Sequence, residues 1–250
     1  MIYPFEGKVA VVTGASGGIG RASALAFGRS GASVLVSDVQ DEKGQETVDL
    51  IINAGGTAHF QHCDVSDEAQ VDDLVATAIS RFGTLDFAHN NAGINRPGSD
   101  EWTTPDWALS INVNLNSVMY CMRAQISAML AKGGGAIVNT ASVNGLVGNP
   151  SQPGYVSSKH GVIGLTRSAA LRYAKENIRV NAVCPGVVDT PMVKDIATVP
   201  QYRAAIEAMT PMGRMAQPEE IASAVLWLCS NQSSFVTGHP LVIDGGATAI

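Results

Sequence analysis

The sequence predicts an α/β fold in which a doubly wound parallel sheet of about seven strands carries helices on both faces. Short Val-rich runs alternate with amphipathic helical segments along the whole chain, and such alternation is typical of parallel sheets. The chain has 250 residues, of which 46% are hydrophobic and 15% charged. This length and composition predict a single domain, residues 1–250, built around one large core.

Composition and charge argue against several classes of function. The formal net charge is −6, and no run of Lys or Arg forms a basic patch, so neither nucleic acid nor an anionic membrane is an expected partner. The first residues lack a basic segment followed by a long apolar run, and no stretch is apolar enough for a membrane span, so we expect a cytoplasmic protein. The four cysteines are scattered, which predicts buried thiols and no metal site.

A strand, a glycine-rich turn and a helix follow one another near the start of the chain. The strand is predicted over Lys8 to Thr13 and the helix over Arg21 to Ser30. Glycines between them let the main chain approach a pyrophosphate, which the positive end of the helix attracts. Their spacing, G-x-x-x-G-x-G, differs from the dinucleotide fingerprint G-x-G-x-x-G. The residues predicted to contact a dinucleotide here are Gly14, Ser16, Gly17, Gly18, Ile19 and Gly20.

The second strand, predicted over Ala32 to Ser37, ends at an acidic residue. Asp38 lies 18 residues beyond Gly20. A carboxylate in this place accepts hydrogen bonds from the ribose hydroxyls of a dinucleotide and repels a 2′-phosphate. Neither Gly17 nor Val39 supplies the positive charge that a phosphorylated ribose would need. The sequence therefore predicts NAD as the cofactor, with NADP disfavoured.

The alternation of strands and helices continues through the middle of the chain. The predicted elements are helices over Asp41 to Asn53 and Asp67 to Phe82, and strands over Thr57 to His62 and Leu85 to His89. The unbroken alternation implies a parallel sheet covered on both faces, with ligands across the carboxyl ends of its strands. The small residues Ala92 and Gly93, after the fourth strand, fit a turn that passes close to a bound cofactor, although simple turn chemistry would also explain them.

The stretch from Asn139 to Leu165 carries the candidate catalytic group. Tyr155 and Lys159 lie four residues apart on a predicted helix, so the phenol and the ammonium face the same side. A nearby cation favours the phenolate of a tyrosine, whose ordinary pKa of about 10 is too high for a base at neutral pH. Ser142, at the end of an apolar run, would offer its hydroxyl to the reacting oxygen of a substrate. These three residues are predicted to form one catalytic unit.

These motifs resemble those of a classical short-chain dehydrogenase/reductase. Thr13 to Gly20, Asn90 to Gly93 and the three catalytic candidates occur in the family's order and at its usual spacings, and the resemblance covers essentially the whole chain. It implies a Rossmann-like fold and reversible hydride transfer between NAD and a secondary alcohol or ketone. It also implies that Tyr155 is the general acid/base, that Lys159 lowers its pKa and holds the nicotinamide ribose, and that Ser142 orients the substrate oxygen.

The resemblance adds further site residues and a quaternary structure. Asn114, on a long helix after Trp107, matches the family's fourth catalytic position and would anchor a water in a proton relay. The remaining cofactor contacts that it implies are Asp64 and Val65 at the adenine, Asn90, Asn91, Ala92 and Gly93 after the fourth strand, and Pro185, Gly186, Val188 and Thr190 near the carboxamide. Helices over Pro105 to Ala131 and Gly154 to Ala174 pack against symmetry mates in relatives, so we expect a homotetramer.

Three departures from the family pattern bear on function. His89 stands at a strand position that is more often aliphatic in relatives, and we expect a buried, satisfied imidazole there rather than a catalytic one. Gly17 replaces the Arg of the NADP-linked ketoacyl-carrier reductases, which argues against a role in fatty-acid synthesis. The spacing between Tyr155 and Lys159 is shorter than that of the enoyl reductases.

The segment of about 190–214 is predicted to be a mobile substrate lid. Three prolines divide it into short helical pieces, a form typical of lids. The residues that would line an apolar pocket are Leu146, Val147 and Pro150, with Met192, Met209, Met212 and Met215. A place in the core or at an interface is an equal alternative for the four methionines. They predict a moderately apolar or cyclic substrate. A sugar or diol dehydrogenase of the same family, and a non-catalytic NAD-binding regulator or scaffold, remain alternatives.

Overall fold

The computed structural model of the chain describes residues 3–95, 102–193 and 198–249. Its strands are β1 (Val9–Thr13), β2 (Ser33–Asp38), β3 (Thr57–His62), β4 (Phe87–Asn90), β5 (Gly135–Thr140), β6 (Ile178–Pro185) and β7 (Pro240–Ile243). Its longer helices are α1 (Gly18–Arg29), α2 (Asp41–Asn53), α3 (Glu68–Phe82), α4 (Thr104–Ile111), α5 (Ser117–Lys132), α6 (Pro153–Tyr173), α7 (Pro200–Ala208) and α8 (Pro218–Cys229). Within the described ranges, no helix is long and apolar enough to cross a bilayer.

The strands form one parallel sheet, as the sequence predicts. Within the described part of the chain, seven strands lie in the order β3-β2-β1-β4-β5-β6-β7, and each neighbouring pair is parallel. The winding reverses between β1 and β4, because β2 and β3 lie on one side of β1 and all later strands lie on the other. In open sheets of this kind, ligands bind outside the carboxyl ends of the strands at such a reversal.

Two apolar layers cover the sheet and fix its register. Val11 of β1 and Ala88 of β4 pack against α3, α5 and α6 on one face. Ala10 and Val12 pack against α1, α2 and α8 on the other. Because successive strand residues face opposite sides, a strand buried on both faces needs an unbroken apolar sequence. This requirement explains the Val-rich runs, and the prediction of helices on both faces is confirmed.

An ionic cluster fastens the amino-terminal edge of the sheet. The carboxylate of Asp86, which precedes β4, accepts a 2.9 Å hydrogen bond from the Val9 N–H and pairs with the ammonium groups of Lys8, at 3.2 Å, and Lys132. Burial alone would raise the pKa of Asp86, but the hydrogen bonds from Lys132, Val9 and Lys8 together hold it below its ordinary value. A buried carboxylate with three donors stays charged and joins β1, β4 and the end of α5.

The thiols lie in the core, as expected. Cys63, Cys121, Cys184 and Cys229 are all buried and free. Burial raises the pKa of the Cys63 thiol and that of Cys184 to about 11 each. A thiol that stays protonated at neutral pH is a poor nucleophile and a poor metal ligand. The cysteines therefore act as small apolar residues of the core.

Candidate active site

The glycine-rich turn between β1 and α1 has the shape of a phosphate cradle. Gly14 has φ of +63°, and a Cβ there would lie 2.7 Å from the Cα of Ala92. A Cβ on Gly20 would overlap the carbonyl oxygen of Gly14, so glycine alone lets α1 pack this close to the turn. No described side chain caps α1, which begins after Gly17 without an acidic residue in its first turn. Its first amides therefore face outward, and the turn fits a pyrophosphate.

Asp38 holds this turn against the end of β2. One oxygen of its carboxylate accepts a 3.0 Å hydrogen bond from the Ser16 N–H, and the other accepts one of the same length from the Gln40 N–H. The side-chain NH₂ of Gln40 also donates to the Ser16 hydroxyl at 3.2 Å. Asp38 is buried, so its negative charge has a fixed position beside the turn. A dinucleotide lying on the turn would bring its ribose to this carboxylate.

Two cations near Asp38 are held by partners within the chain. The guanidinium of Arg21 donates to the Thr47 hydroxyl at 2.9 Å and to Glu46 at 3.1 Å. The ammonium of Lys43 donates to the side-chain oxygen of Gln40 at 2.8 Å. A 2′-phosphate would have to compete with these partners for positive charge while lying against a carboxylate. Both cations are therefore engaged by groups of the chain itself.

Asn91 joins the glycine-rich turn to the end of β4. Its side-chain amide donates to the carbonyl oxygens of Thr13, at 3.2 Å, and Gly14, at 3.1 Å. The main-chain N–H groups of Asn91 and Ala92 donate to the Thr13 hydroxyl at 3.0 and 3.2 Å. The two turns are therefore adjacent. The side-chain amide of Asn91 is already hydrogen-bonded to main-chain carbonyls, so this side chain shapes the crevice. A cofactor could contact the main chain of Asn91.

Asn90 was predicted to contact the cofactor, but its side chain points into the core. Its amide exchanges hydrogen bonds of 3.0 and 2.7 Å with Gln125 of α5 and donates to Asn139 at 2.9 Å. Asn90 and Gln125 are buried. The side chain of Asn90 therefore belongs to the core between β4, β5 and α5. Any contact of Asn90 with a cofactor must use its main chain.

Ser142 and the Tyr155–Lys159 pair come from elements that touch. Ser142 follows β5, and its hydroxyl oxygen accepts a 3.1 Å hydrogen bond from the Asn144 N–H, which starts a short helical turn. A Cβ on Gly145, in that turn, would lie 2.8 Å from the carbonyl oxygen of Lys159. The turn therefore rests on α6 at the level of the lysine. Ser142 is buried and Tyr155 half-buried.

Lys159 is held as a cation next to the tyrosine ring. Its ammonium donates a 2.8 Å hydrogen bond to the carbonyl oxygen of Thr140 and lies 5.6 Å from the centroid of the Tyr155 ring. Burial lowers the pKa of Lys159 to about 8, so the ammonium form still predominates at neutral pH. A cation at this range favours the charged form of an acidic neighbour. The Lys159 ammonium and the Tyr155 ring are therefore direct neighbours.

Asn114 lies in a π-helical turn rather than on a continuous helix. Residues Asn112–Asn116 form this turn between α4 and α5, and such turns often mark functional sites. The side chain of Asn114 is fully buried and exchanges hydrogen bonds with the main chain of Ile94, accepting at 2.7 Å and donating at 3.0 Å. A Cβ on Gly93 would lie 3.0 Å from the Asn114 oxygen and 3.6 Å from the Lys159 ammonium. Both groups therefore converge on Gly93.

The loop after β6 covers the start of α1. A Cβ on Gly18 would lie 3.1 Å from the methyl group of Thr190. The Thr190 hydroxyl donates to the carbonyl oxygen of Val188 at 3.3 Å. Pro185 ends β6, and the Gly186 N–H donates to the Ile243 carbonyl at 3.0 Å. These predicted carboxamide contacts therefore lie across the crevice from the glycine-rich turn.

The predicted adenine contacts follow β3. The carboxylate of Asp64 accepts hydrogen bonds from the N–H and the hydroxyl of Ser66, at 2.9 and 2.7 Å. The Asp64 N–H donates to the side chain of Gln70 at 2.9 Å. Val65 is buried in the core. This local turn gives Asp64 a fixed direction at the same edge of the sheet as Asp38.

The predicted lid is only partly within the described residues. It contains α7, while residues 194–197 lie outside the described ranges. Met192, Met209 and Met212 are exposed, as are Leu146 and Val147. Met215, in contrast, is buried in the core, which is the alternative that the sequence left open for these methionines.

Sequence reasoning missed a rim of amide side chains beside the catalytic group. Gln152, three residues before Tyr155, is 8% exposed and donates to the side-chain oxygen of Asn95. Its own oxygen accepts a 3.1 Å hydrogen bond from Asn149. Residues three apart near the start of a helix share a face, and this spacing to Tyr155 was the signal available for Gln152. Asn95 could not be found because it lies 57 residues away along the chain.

Comparisons with known proteins find relatives along the whole chain. A family profile described as enoyl-(acyl carrier protein) reductase matches residues 14–248. A cyclohexanol dehydrogenase of Acinetobacter sp. (strain SE19) is 44% identical over 251 residues, covering 100% of this chain and 98% of its own. A 2,5-dichloro-2,5-cyclohexadiene-1,4-diol dehydrogenase of Sphingobium indicum is 44% identical over 252 residues, covering 98% of each. The crystal structure of a short-chain type dehydrogenase/reductase from Mycobacterium marinum superposes with a TM-score of 0.94 at 36% identity, covering 100% of this chain and 98% of that chain.

Proposed function

Because this chain belongs to the short-chain dehydrogenase/reductase family, we propose that it oxidises a cyclic secondary alcohol to the ketone, reversibly, with NAD rather than NADP. The observation that carries the proposal is the buried ammonium of Lys159, which lies 5.6 Å from the Tyr155 ring beside the turn of Ser142. This group stands at the carboxyl end of β5, one strand away from the point between β1 and β4 where the winding of the sheet reverses. A tuned phenol at such a place has no use in a protein that only binds a dinucleotide.

The proton step is assigned to Tyr155. In the oxidation, the phenolate oxygen of Tyr155 accepts the proton of the substrate hydroxyl, and the ammonium of Lys159 stabilises the phenolate beforehand. The hydroxyl of Ser142 donates to the substrate oxygen and keeps it facing the phenol. When bound, the nicotinamide cofactor would supply the hydride-transfer chemistry at the carbon that bears this oxygen. The carbon loses a hydride and its oxygen loses a proton, which leaves the ketone.

Asn114 is assigned a supporting part in this step. Its hydrogen bonds with the main chain of Ile94 hold the loop that follows β4 against the π-helical turn. Its oxygen lies close to Gly93, on the side that the Lys159 ammonium also approaches. It can therefore orient a water or a main-chain group through which the proton of Tyr155 exchanges with solvent.

Asp38 supports the preference for NAD. Its buried carboxylate has two main-chain donors, which stabilise the charge in place. Each charged oxygen keeps further acceptor capacity that a 2′-hydroxyl can use. A 2′-phosphate would meet the same oxygens as like charges, and such juxtapositions cost several kcal/mol.

The apolar side chains around the crevice support a cyclic substrate of low polarity. Leu146 and Val147 follow the turn of Ser142, and they are 38% and 43% exposed. Met192 lies just after the loop that covers α1, and is also exposed. A ring held among these side chains would turn its carbinol carbon toward Ser142 and Tyr155. The cyclohexanol and cyclohexadiene-diol dehydrogenases, at 44% identity, act on rings by their names.

The amide rim favours a diol as the second candidate. Gln152 lies about one helical turn before Tyr155, and its side-chain amide hydrogen-bonds those of Asn95 and Asn149. A second oxygen on the ring would find donors and acceptors there. A substrate with one oxygen would leave that side of the ring against polar groups, which lowers the affinity. The rim therefore distinguishes a simple cyclic alcohol from a cyclic diol.

A substrate panel tests the proposed function. Purified protein with NAD is offered cyclohexanol, cyclohexane-1,4-diol, an open-chain secondary alcohol and a hexose, and NADH absorbance is followed. We expect the ring alcohols to have the highest kcat/KM. A higher kcat/KM for the diol, lowered about fivefold by Gln152→Leu while that for cyclohexanol is unchanged, would select the second candidate. Binding of NAD without turnover of any alcohol would support a regulator or scaffold instead.

The proposal includes a homotetramer. α5 and α6 present an apolar groove to solvent, lined by Leu115, Met119, Gly161 and Leu165. Elsewhere, Leu171 is 85% exposed and Phe235 is fully exposed. Apolar surface of this kind marks sites of protein association. Sedimentation at micromolar concentration is expected to give a single species of four chains, and a monomer would contradict this expectation.

A further inference from the structure

The imidazole of His89 is buried in the core of β4 without a part in the proton step. His89 is completely inaccessible and pairs in register with Val12 of β1 and Val138 of β5. It lies on the same face of the strand as Phe87, which packs toward α1 and α8. Its Nε2 lies 2.9 Å from the hydroxyl oxygen of Thr140. An imidazole in this apolar layer is a feature that packing does not require.

A chain of hydrogen bonds fixes which nitrogen of His89 carries the proton. The carbonyl oxygens of Thr13 and Gly14 only accept, so the Asn91 group that faces them is its NH₂. The Asn91 oxygen then faces Thr140, whose hydroxyl must donate to it, at 3.3 Å. Because the proton of the Thr140 hydroxyl is used in this bond, the hydroxyl oxygen can only accept a hydrogen bond from His89. His89 therefore has its proton on Nε2, and Nδ1 is the bare acceptor.

Thr140 is the junction between the cofactor turn and the catalytic helix. Its hydroxyl reaches Asn91, which holds the glycine-rich turn, while its carbonyl oxygen accepts the 2.8 Å hydrogen bond from the Lys159 ammonium. The His89 imidazole is the donor that sets the orientation of the Thr140 side chain. A movement of Thr140 would therefore displace both Asn91, beside the glycine-rich turn, and Lys159, beside Tyr155.

The other nitrogen of His89 shows that the residue is not optimised for stability. Within the described part of the chain, Nδ1 finds no hydrogen-bond partner. Burial lowers the pKa of His89 to about 3, so the imidazole is neutral at any working pH. A buried acceptor without a donor destabilises the fold. An aliphatic side chain would avoid this penalty but would leave Thr140 without its donor.

We propose that His89 is a positioning residue, whose Nε2–H holds Thr140 so that its hydroxyl engages Asn91 and its carbonyl engages Lys159. The consequence for hydride transfer rests on the function proposed above, whereas the consequence for NAD affinity does not. His89 would thus link the geometry of the cofactor turn to that of the catalytic lysine. Its effect would be on function at a small loss of stability.

Variants of His89 and Thr140 separate this role from a packing role. His89→Leu keeps the apolar volume without a donor, and His89→Gln keeps an N–H in the ε position. Thr140→Val removes the hydroxyl at constant shape, and Thr140→Ser restores it. We measure the NAD dissociation constant by calorimetry, kcat on the best alcohol and the thermal midpoint. His89→Leu and Thr140→Val are each expected to weaken NAD binding about fivefold and to lower kcat similarly.

The pattern across the variants decides the proposal. His89→Gln and Thr140→Ser are expected to recover most of both losses, and the double variant to be no worse than its worse single variant. The thermal midpoint of His89→Leu is expected to equal or exceed the parent's. NAD affinity that is unchanged in His89→Leu, or a lowered midpoint with unchanged affinity, would overturn the proposal. If the parent protein oxidises none of the alcohols but the variants still change NAD affinity as predicted, the result counts against the proposed function and not against the role of His89.

A spectroscopic measurement on the parent protein covers the case in which the variants fail to fold. With ¹⁵N-labelled histidine, the proposal predicts for His89 a pyrrole-type signal at Nε2 and a pyridine-type signal at Nδ1. Neither signal should move between about pH 5 and 9, because the ring stays neutral. A proton on Nδ1 would refute the assigned chain, since Thr140 could then no longer donate to Asn91.

Discussion

Replacing Tyr155 with Phe is expected to lower kcat by about 10²- to 10⁴-fold, the range that general acid–base catalysis supplies. The substitution removes the phenol oxygen and keeps the ring above which the Lys159 ammonium lies. NAD affinity is expected to be retained, because Lys159 keeps its hydrogen bond to Thr140 and the glycine-rich turn is untouched. Steady-state kinetics on a ring alcohol, together with calorimetric NAD binding, measure both effects.

The control for this experiment is on the same helix. Tyr173 ends α6, 18 residues after Tyr155, which is about 27 Å along the helix axis. Tyr173→Phe makes the same chemical change and is expected to leave kcat unchanged. Turnover that persists in Tyr155→Phe, or falls equally in Tyr173→Phe, would remove Tyr155 from the proton step.

The second large effect is expected at Asp38, where Asn should reduce the preference for NAD over NADP about 100-fold. Hydrogen bonds to a charged group contribute about 1.5–3 kcal/mol, and their loss weakens the hold on the ribose of NAD. At the same time, removal of the negative charge ends the repulsion of a 2′-phosphate. The measured quantity is the ratio of kcat/KM for NAD to that for NADP.

Asp41→Asn is the matched control for Asp38→Asn. Asp41 is three residues away, is exposed and pairs with His62 at 2.6 Å. Its substitution removes the same charge from the same end of the sheet without touching the glycine-rich turn. The cofactor ratio is expected to stay within about twofold of the parent's, since exposed charges interact weakly. An equal change in both variants would mean that overall charge, not the position of Asp38, determines the choice of cofactor.

The fold was predictable because its causes are local in the sequence. The Val-rich strands, the glycine turn before α1 and the alternation of elements each follow from short-range patterns, and the seven-stranded parallel sheet is as predicted. The start of α1 was missed because the propensity of its first residues conflicts with what the turn before it requires. α1 begins at Gly18 rather than near Arg21, because glycine is a weak helix former but the turn requires it.

The site was predictable in its residue types and less so in their partners. Tyr155 and Lys159 are one helical turn apart, so their meeting is a property of the sequence. The partner of Lys159 is a main-chain oxygen of Thr140, which no side-chain pattern can indicate. The π-helical turn at Asn114 and the amide rim at Gln152 arise from packing between distant segments. His89 was expected to be satisfied, but one of its nitrogens has no partner among the described residues.

The ionic cluster at Asp86 stabilises the amino-terminal edge of the sheet, whereas the crevice lies at the carboxyl edge. Asp86 precedes β4 and Asn90 ends it, so the cluster and the crevice are about 13 Å apart at the ordinary rise of a strand. Engineering for heat tolerance can therefore work on the surroundings of Lys8 and Lys132 while chemistry at the opposite rim proceeds undisturbed. Directed evolution toward new substrates could likewise vary the residues of the crevice without weakening the ionic cluster at Asp86.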